Sequence, residues 1–313
     1  MALGFGYESW LGAGKETAYG TPVTRTKFLE LNSESLAAED DVINGNSVYN
    51  WTRDVDNYTQ AAKTVGGGIS FDLRQEGAEI IFLYALGGTS TASPGTGDAK
   101  THTFTMSESL PTGLTLEVNR DVTAFLYHGC KINQLTLNGD NTGIVTVDLD
   151  IIAEDEGTAA ASTPSFSTSD YWTFDKAELT YNSGTQKVTN WTFNINNNEE
   201  RRYLLGTKTT NEPVRAGKAE ITGEMTVEFD SVTNWTAFNS AGTAAFEADY
   251  SGDAIEGTIL YGFQVNCPKI RFSGGVPSTN SEGKYTQTIP FVAYSDGTIR
   301  PTNIVITNTV ASV

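Results

Sequence analysis

The chain has 313 residues, enough to bury a large core, and its 38 acidic against 20 basic side chains leave a formal net charge of -18. Such acidity excludes a protein that grips nucleic acid by neutralising phosphates, although a like-charged wall, felt within about 8 Å at physiological salt, lets DNA pass without sticking. Two cysteines are too few for a disulfide framework, no run reaches 18 apolar residues, and the first ten residues lack a secretory n-region, so a soluble cytosolic product is expected.

Residues 1–26 are rich in Gly and Thr without either periodicity, and read as an arm lying on a surface. Gly12-Ala-Gly-Lys15 is no phosphate loop, because Ser9 and Glu16 stand where a glycine and a Ser or Thr are required. Residues 27–36 read as the first core strand. Residues 40–63 are polar with Tyr49, Trp51, Arg53 and Tyr58 scattered through them, a pattern closer to a contact surface than to a solvated linker.

Residues 65–88 then give a glycine cluster, an alternating strand and an apolar helix closed by two glycines. Sliding the sequence by 156 residues lays Gly67 over Gly223 and Asp72 over Glu228. Ile69, Phe71 and Leu73 then match Met225, Val227 and Phe229 as the buried face of a period-two strand. Each copy leads into a helix. Ile80, Ile81, Leu83, Tyr84 and Leu86 leave the first without a polar face, whereas the second has Ser231 as N-cap and Trp235, Phe238 and Ala241 as one stripe.

Residues 89–100 are a low-complexity hairpin or loop without a counterpart in the second half. Short alternating strands follow around 113–118, 124–127, 131–137 and 144–151, the last two joined by a hairpin signal at 138–143. Cys130 and Cys267 each precede a Lys-Ile strand start and stand at matching places in the two halves as buried thiols. Residues 156–169 form a linker. Beyond it strands recur around 171–181, 187–196, 217–230, 244–250, 257–265, 269–272 and 285–294. A second polar loop, 199–215, holds Arg201, Arg202, Tyr203 and Arg215 and precedes the repeated strand as 40–63 precedes the first.

Chemistry is missing. His102 and His128 are far apart, and no zinc, paired-cysteine or nucleophile-elbow motif occurs. The densest acidic cluster, Asp148, Asp150, Glu154, Asp155 and Glu156, reads as a solvated strand end. No catalytic residue, metal or cofactor is expected. A competing reading is a two-domain β-sandwich adhesin or carbohydrate-binding protein with Trp51, Trp172, Trp191 and Trp235 as sugar platforms.

Taken in order, residues 14–22, the strand from Val65 running into Leu83-Tyr-Ala-Leu-Gly87, Gly129-Cys-Lys-Ile-Asn-Gln-Leu-Thr-Leu137, residues 190–197, 217–230 and 290–297 resemble the major tail tube proteins of long, non-contractile-tailed (siphovirus-like) bacteriophages, in the long form with two tandem tube domains. The likeness covers nearly the whole chain. It implies an all-β fold with minor α: two tail-tube-type β-sandwich or half-barrel domains, 27–155 and 170–313, each flanked by one helix. It implies a structural virion protein, not an enzyme, synthesised in the host bacterial cytoplasm, whose rings stack into a conduit for DNA ejection. Three chains would give a pseudo-hexameric ring, which we prefer to a hexamer. Tail tip or initiator, tape measure and terminator proteins are the implied partners, with double-stranded DNA passing unbound and no membrane involved. Trp10, Lys15, Tyr19, Pro22 and Arg25 on the arm, with Tyr49, Trp51, Arg53, Tyr58, Arg201, Arg202, Tyr203 and Arg215 on the two loops, are then candidates for contacts between subunits or rings. Asp72 and Glu228 are lumen candidates.

Overall fold

The computed structural model describes residues 4–45, 54, 57–274, 282, 285–295, 297 and 300–313. The chain is mostly strand. The first half contains β1 (Trp10–Lys15), β2 (Lys27–Glu30), β3 (Ser33–Glu34), β4 (Ala37–Asn44), β5 (Tyr58–Asp72), α1 (Glu79–Leu86), β6 (Gly87–Ala92), β7 (Lys100–Met106), β8 (Leu114–Asn119), β9 (Ala124–Asp140), β10 (Thr146–Ala153) and β11 (Asp155–Ala159). The second contains β12 (Ala177–Tyr181), β13 (Gly184–Thr185), β14 (Val188–Asn196), β15 (Glu199–Arg202), β16 (Asn211–Arg215), β17 (Glu220–Glu228), α2 (Thr233–Asn239), β18 (Ala244–Glu256), β19 (Ile259–Phe272), β20 (Thr286–Ala293) and β21 (Asn303–Asn308).

Both halves follow one antiparallel pairing scheme. The first runs β2-β1-β8-β9-β10-β5-β3 and the second β13-β12-β18-β19-β20-β17-β14. The registers coincide residue by residue. Ile69 lies between Leu149 and Glu34, and Met225, its equivalent at an offset of 156, lies between Ile289 and Trp191. Leu11 faces Val118 as Leu179 faces Ala248, and Ile132 faces Ile151 as Phe272 faces Phe291. Even an irregularity recurs. Between the pairs Leu114–Cys130 and Leu116–Tyr127, strand β9 carries two residues against one, and β19 does the same between Ala244–Ile270 and Phe246–Cys267. Such a bulge bends its strand, and it sits where β9 passes from partner β8 to partner β10.

That register corrects the matching of the cysteines. Cys130 is equivalent to Ile270, and Cys267 to Tyr127, because the register offset is 140 on both sides of the bulge, two more than the 138 between the Lys-Ile pairs. Both thiols are free and buried. The stretch expected to lie as a surface arm also differs: five of the six β1 residues are buried. Strand β1 is covered on both faces, so no alternation betrays it.

The two halves join as one sheet, β9 pairing with β14 from Gln134–Asn196 to Asp140–Asn190. A second seam is β7 against β21, with β6 beyond it, so the hairpin without a second-half counterpart reaches across to the C-terminal strand. There the buried ring of His102 bonds the Val310 carbonyl through Nε2 at 2.8 Å. One apolar cluster runs through both halves, from Leu11 to Ile306. Helix α1 lies within it, and the buried Glu79 carboxylate at its start accepts the side-chain amide of Asn308 and the N–H of Gly77. Helix α2 buries no residue, and its first turn has Val232 rather than Ser231 at the N-cap position. The Ser231 hydroxyl bonds Thr233 Oγ1 at 3.1 Å instead.

Trp172 at the seam is 1% exposed and packs against Tyr250 and Phe263. Trp172→Ala should therefore cost about 3–5 kcal/mol of stability, read as a lowered urea midpoint. A second outcome depends on pH. Burial, reinforced by Glu178, raises the carboxyl of Asp249 above its ordinary value. A group raised on folding contributes stability below its unfolded value of about 3.9 and loses it as the pH rises through the folded one. Asp249→Asn should thus unfold at higher urea than the parent at pH 7, with the difference gone by about pH 3.

Candidate assembly interface

The β9·β14 junction sets both faces of the shared sheet. Leu135, Leu137, Phe193 and Ile195 point into the core, so their neighbours must point away. Three rows of such neighbours cross the junction. Asp72, Thr146, Asn138, Thr192 and Glu224 form one; Ser70, Asp148, Thr136, Asn194 and Thr222 the next; Asp150, Gln134, Asn196 and Glu220 the third. None of these side chains is basic. Asn138 Nδ2 donates to Asp148 Oδ2 at 2.8 Å, Thr192 Oγ1 to Asn138 Oδ1 at 3.2 Å, and Asn194 Nδ2 to Thr136 Oγ1 at 2.9 Å. The result, from β5 to β17, is a polar face spanning both halves whose charges are negative; two strands further on, the second row continues through Val292 to the exposed Arg271.

The ends of the junction are closed by specific residues. Gly139 faces Trp191, and a Cβ there would lie 2.3 Å from the indole nitrogen. At the other end Asn197, fully buried, donates its amide to the carbonyls of Ala85 and Ile132, both at 3.0 Å. Asn198 follows with φ 52, a left-handed conformation that asparagine tolerates, and turns the chain into the β15–β16 hairpin.

That hairpin corrects the reading of 199–215 and 40–63 as loops. They contain β15 paired with β16, and β4 paired with the first part of β5. The two hairpins touch. Arg201 crosses Gly66 to donate to the Val65 carbonyl at 2.9 Å, Tyr203 Oη lies 3.0 Å from Thr64 Oγ1, and the N–H of Lys63 donates to the Lys208 carbonyl at 2.7 Å. Arg215 bonds the Ser107 carbonyl and lies 3.7 Å from Glu199, while Arg202 is exposed.

The arm candidates are mostly engaged within the chain. Trp10 is buried edge-on to Phe28, Lys15 donates to the Val313 carbonyl, and Arg25 pairs with the buried carboxylate of Glu117 and donates to Ser162 Oγ. The Tyr19 hydroxyl is buried, and burial, with Glu154 beside it, raises it well above its ordinary value. Pro22 and Tyr58 are exposed, Asp72 and Glu228 occupy equivalent half-buried positions opposite Thr146 and Thr286, and Tyr49, Trp51 and Arg53 lie outside the described residues. Asn32 donates to Asp72 at 2.6 Å. Of the four tryptophans named as sugar platforms, two are closed off by burial, and Trp51 lies outside the described residues. Trp172 and Trp191 are core residues, and Trp235 is 40% exposed.

Sequence reasoning missed Asn197, Gly139 and the acidic face as a whole. Each follows from a register between halves, and no single-strand pattern reveals that.

Among the described residues β3 and β4 pair with β5 alone, whereas β14, equivalent to β3 by register, has β9 on its second side. The first half thus presents an open edge where the second is closed. Fold and register together define an all-β protein with minor α whose two halves share one pairing scheme. A family model described as phage tail tube protein matches residues 6–293, and the chain belongs to that family. No curated protein matches the chain.

Asn197→Leu removes the amide that satisfies two buried carbonyls while keeping the volume. It should cost about 2 kcal/mol, measured by denaturant unfolding.

Proposed function

We propose that the chain is a tube subunit of a long, non-contractile tail, with two tandem tube domains at 27–155 and 170–313 joined by the linker 156–169. Copies associate by repeating the junction they already contain. The observation that carries this is the open edge of β3 and β4, whose equivalent in the second half, β14, is closed by β9. An unpaired edge invites a further strand, and the partner proposed is the continuation of β19 in a neighbouring copy, because the offset of 140 carries the pairing stretch 134–140 of β9 to 274–280, of which Gly274 alone lies within the described residues.

Each added chain contributes two like segments, so three chains close a pseudo-sixfold ring. Rings stack into a tube within the virion. The acidic face, with Asp72 and Glu228 at equivalent places, lines the lumen; its excess of negative charge supports a wall that DNA passes without binding. Initiator, tape measure and terminator proteins would meet the tube at its ends and along its bore. Exposed Pro22, Tyr58, Arg202 and Tyr203 then stand as contacts to neighbouring subunits or rings, Tyr203 being 39% exposed.

Native mass spectrometry of the smallest ring should give three times the 33.7 kDa of one chain, and electron microscopy at high concentration should show stacks of such rings. Discrete monomers at every concentration would sink the proposal; six chains would replace the ring but keep the tube. Parent tubes should not retard duplex DNA. Tubes carrying Asp150→Lys and Glu224→Lys, both exposed on the acidic face, should bind it with an affinity that falls steeply with salt.

A further inference from the structure

The register between halves also matches the segments that lead into β1 and β12. Leu11 and Leu179 are equivalent, and the single 3₁₀ turns ahead of them, Gly6–Glu8 and Phe174–Lys176, fall at the same offset of 168 residues. In the first half the segment ahead of β12 is docked. The N–H of Trp172 donates to the Leu73 carbonyl at 3.0 Å, and the N–H of Val145 to the Trp172 carbonyl at 2.8 Å, so the segment lies between the end of β5 and the start of β10. Phe166 and Tyr171 fill the adjoining hollow, which is lined by Glu30, Phe71, Arg74 and Ala78 and retains only about 40 Å³. The Arg74 guanidinium stacks 3.9 Å above the Tyr171 ring and pairs with Glu30 at 2.6 Å.

The second half has the same place, and it is open. Phe229 donates to the Tyr285 carbonyl as Leu73 does to that of Val145. Val145 is 1% exposed, yet Tyr285 is 51% exposed. The hollow beside α2, lined by Lys187, Val227, Asp230 and Asn234, has a volume of about 490 Å³. These four are the register equivalents of Glu30, Phe71, Arg74 and Ala78, and the ion pair recurs with its charges exchanged, Lys187 to Asp230 at 2.9 Å. Meanwhile the segment equivalent to the docked one lies along its own half, the Phe5 N–H donating to Asp121 Oδ2 and Asn119 Nδ2 to the Glu8 carbonyl, both at 3.0 Å, with its aromatic rings exposed. Phe5 and Tyr7 stack on one another at 5.4 Å, 53% and 79% exposed.

We propose that residues 4–8 of a second copy dock beside Phe229 and Tyr285, over the mouth of the hollow at α2. The occupant is the same chain, because the segment that fills the equivalent place in the first half is the one ahead of β12, and its register equivalent is the one ahead of β1. The inference rests on the head-to-tail association proposed above, which brings that segment to the second half of the preceding copy. It gives the N-terminal segment a role within a ring rather than between rings. In this arrangement Gly4 takes the position of Trp172, donating its N–H to the Phe229 carbonyl and accepting from the N–H of Tyr285.

The test uses two full-length variants, Phe5→Cys and Asp230→Cys, assembled separately and as an equimolar mixture and then treated with a short bis-maleimide. Cys130 and Cys267 are fully buried and do not compete. Cross-linked dimers should form in the mixture and in neither variant alone. Gly4→Pro, which deletes the donated N–H, should raise the concentration needed for ring formation at least tenfold without changing the urea midpoint of the free chain. Rings that form normally in the mixture without cross-linked dimers, and a Gly4→Pro threshold like the parent's, would overturn the docking and leave the ring intact. Absence of both rings and dimers would overturn both proposals. Dimers without closed rings would uphold the docking and discard the ring.

Discussion

The structure depends on one constraint: the backbone N–H and C=O groups along a sheet edge must be bonded, and in this chain one half supplies the partner for the other. Strand β9 offers its free side to β14 from Gln134 to Asp140. Because side chains alternate with period two, a slip of one residue would turn Leu135 and Leu137 outward and carry Thr136 and Asn138 into the core. The register is therefore held by burial, and the acidic face follows from it without further specification. Asn197 and Gly139 mark the limits of that pairing. One supplies hydrogen bonds where the ladder ends, and the other removes a Cβ where an indole arrives.

The two halves have diverged according to what covers them. Helix α1 has lost every polar face because the β6–β7 hairpin, β9 and the C-terminal strand enclose it. Its counterpart α2 keeps Thr233, Asn234, Thr236 and Asn239 and buries nothing within the chain. The same asymmetry appears in the ion pair at the hollow, stacked under Tyr171 in one half and exposed in the other. The first half is covered by the segment ahead of β12, and the equivalent place in the second half, uncovered among the described residues, must either be polar or meet another molecule. Hydroxyl and amide groups on α2 satisfy the first condition, and the open place at Tyr285 accommodates the second.

Much of this was legible in the sequence, and the failures have physical causes. The strands with one face in the core, such as Ile69-Ser-Phe-Asp-Leu73 and Met225-Thr-Val-Glu-Phe229, announce themselves by alternation, and an offset of 156 places them in the correct register. The insertion at 89–100 was visible because it interrupts that offset. Strand β1 was not, since burial on both faces erases alternation. The hairpins at 40–63 and 199–215 are polar on both sides, so composition suggests loops. Matching of Cys130 to Cys267 failed because similar tripeptides straddle a bulge, and a bulge conserves backbone geometry without conserving the sequence around it. The pairing of β9 with β14 joins positions 50 to 62 residues apart, and neither strand carries a mark of its partner.

The acidic face explains why a wall can be charged and still be inert. Carboxylates here are interleaved with Thr, Asn and Gln, and several are held by side-chain amides: Asn138 on Asp148, Asn133 on Asp150, Asn32 on Asp72. Such bonds fix the carboxylates in place, and from β5 to β17 these rows hold no arginine or lysine to bridge a phosphate, Arg271 lying two strands beyond. A polyanion close to this surface meets repulsion over roughly a Debye length and finds no counter-charge at contact. Amides and hydroxyls between the acids keep the surface hydrated, so bases gain nothing by stacking on it. In the proposed tube, attraction would halt a translocating duplex at every ring. A single basic substitution repeated around a closed ring would already multiply into such a trap, which places the selective constraint on the sign of the whole face rather than on any one residue.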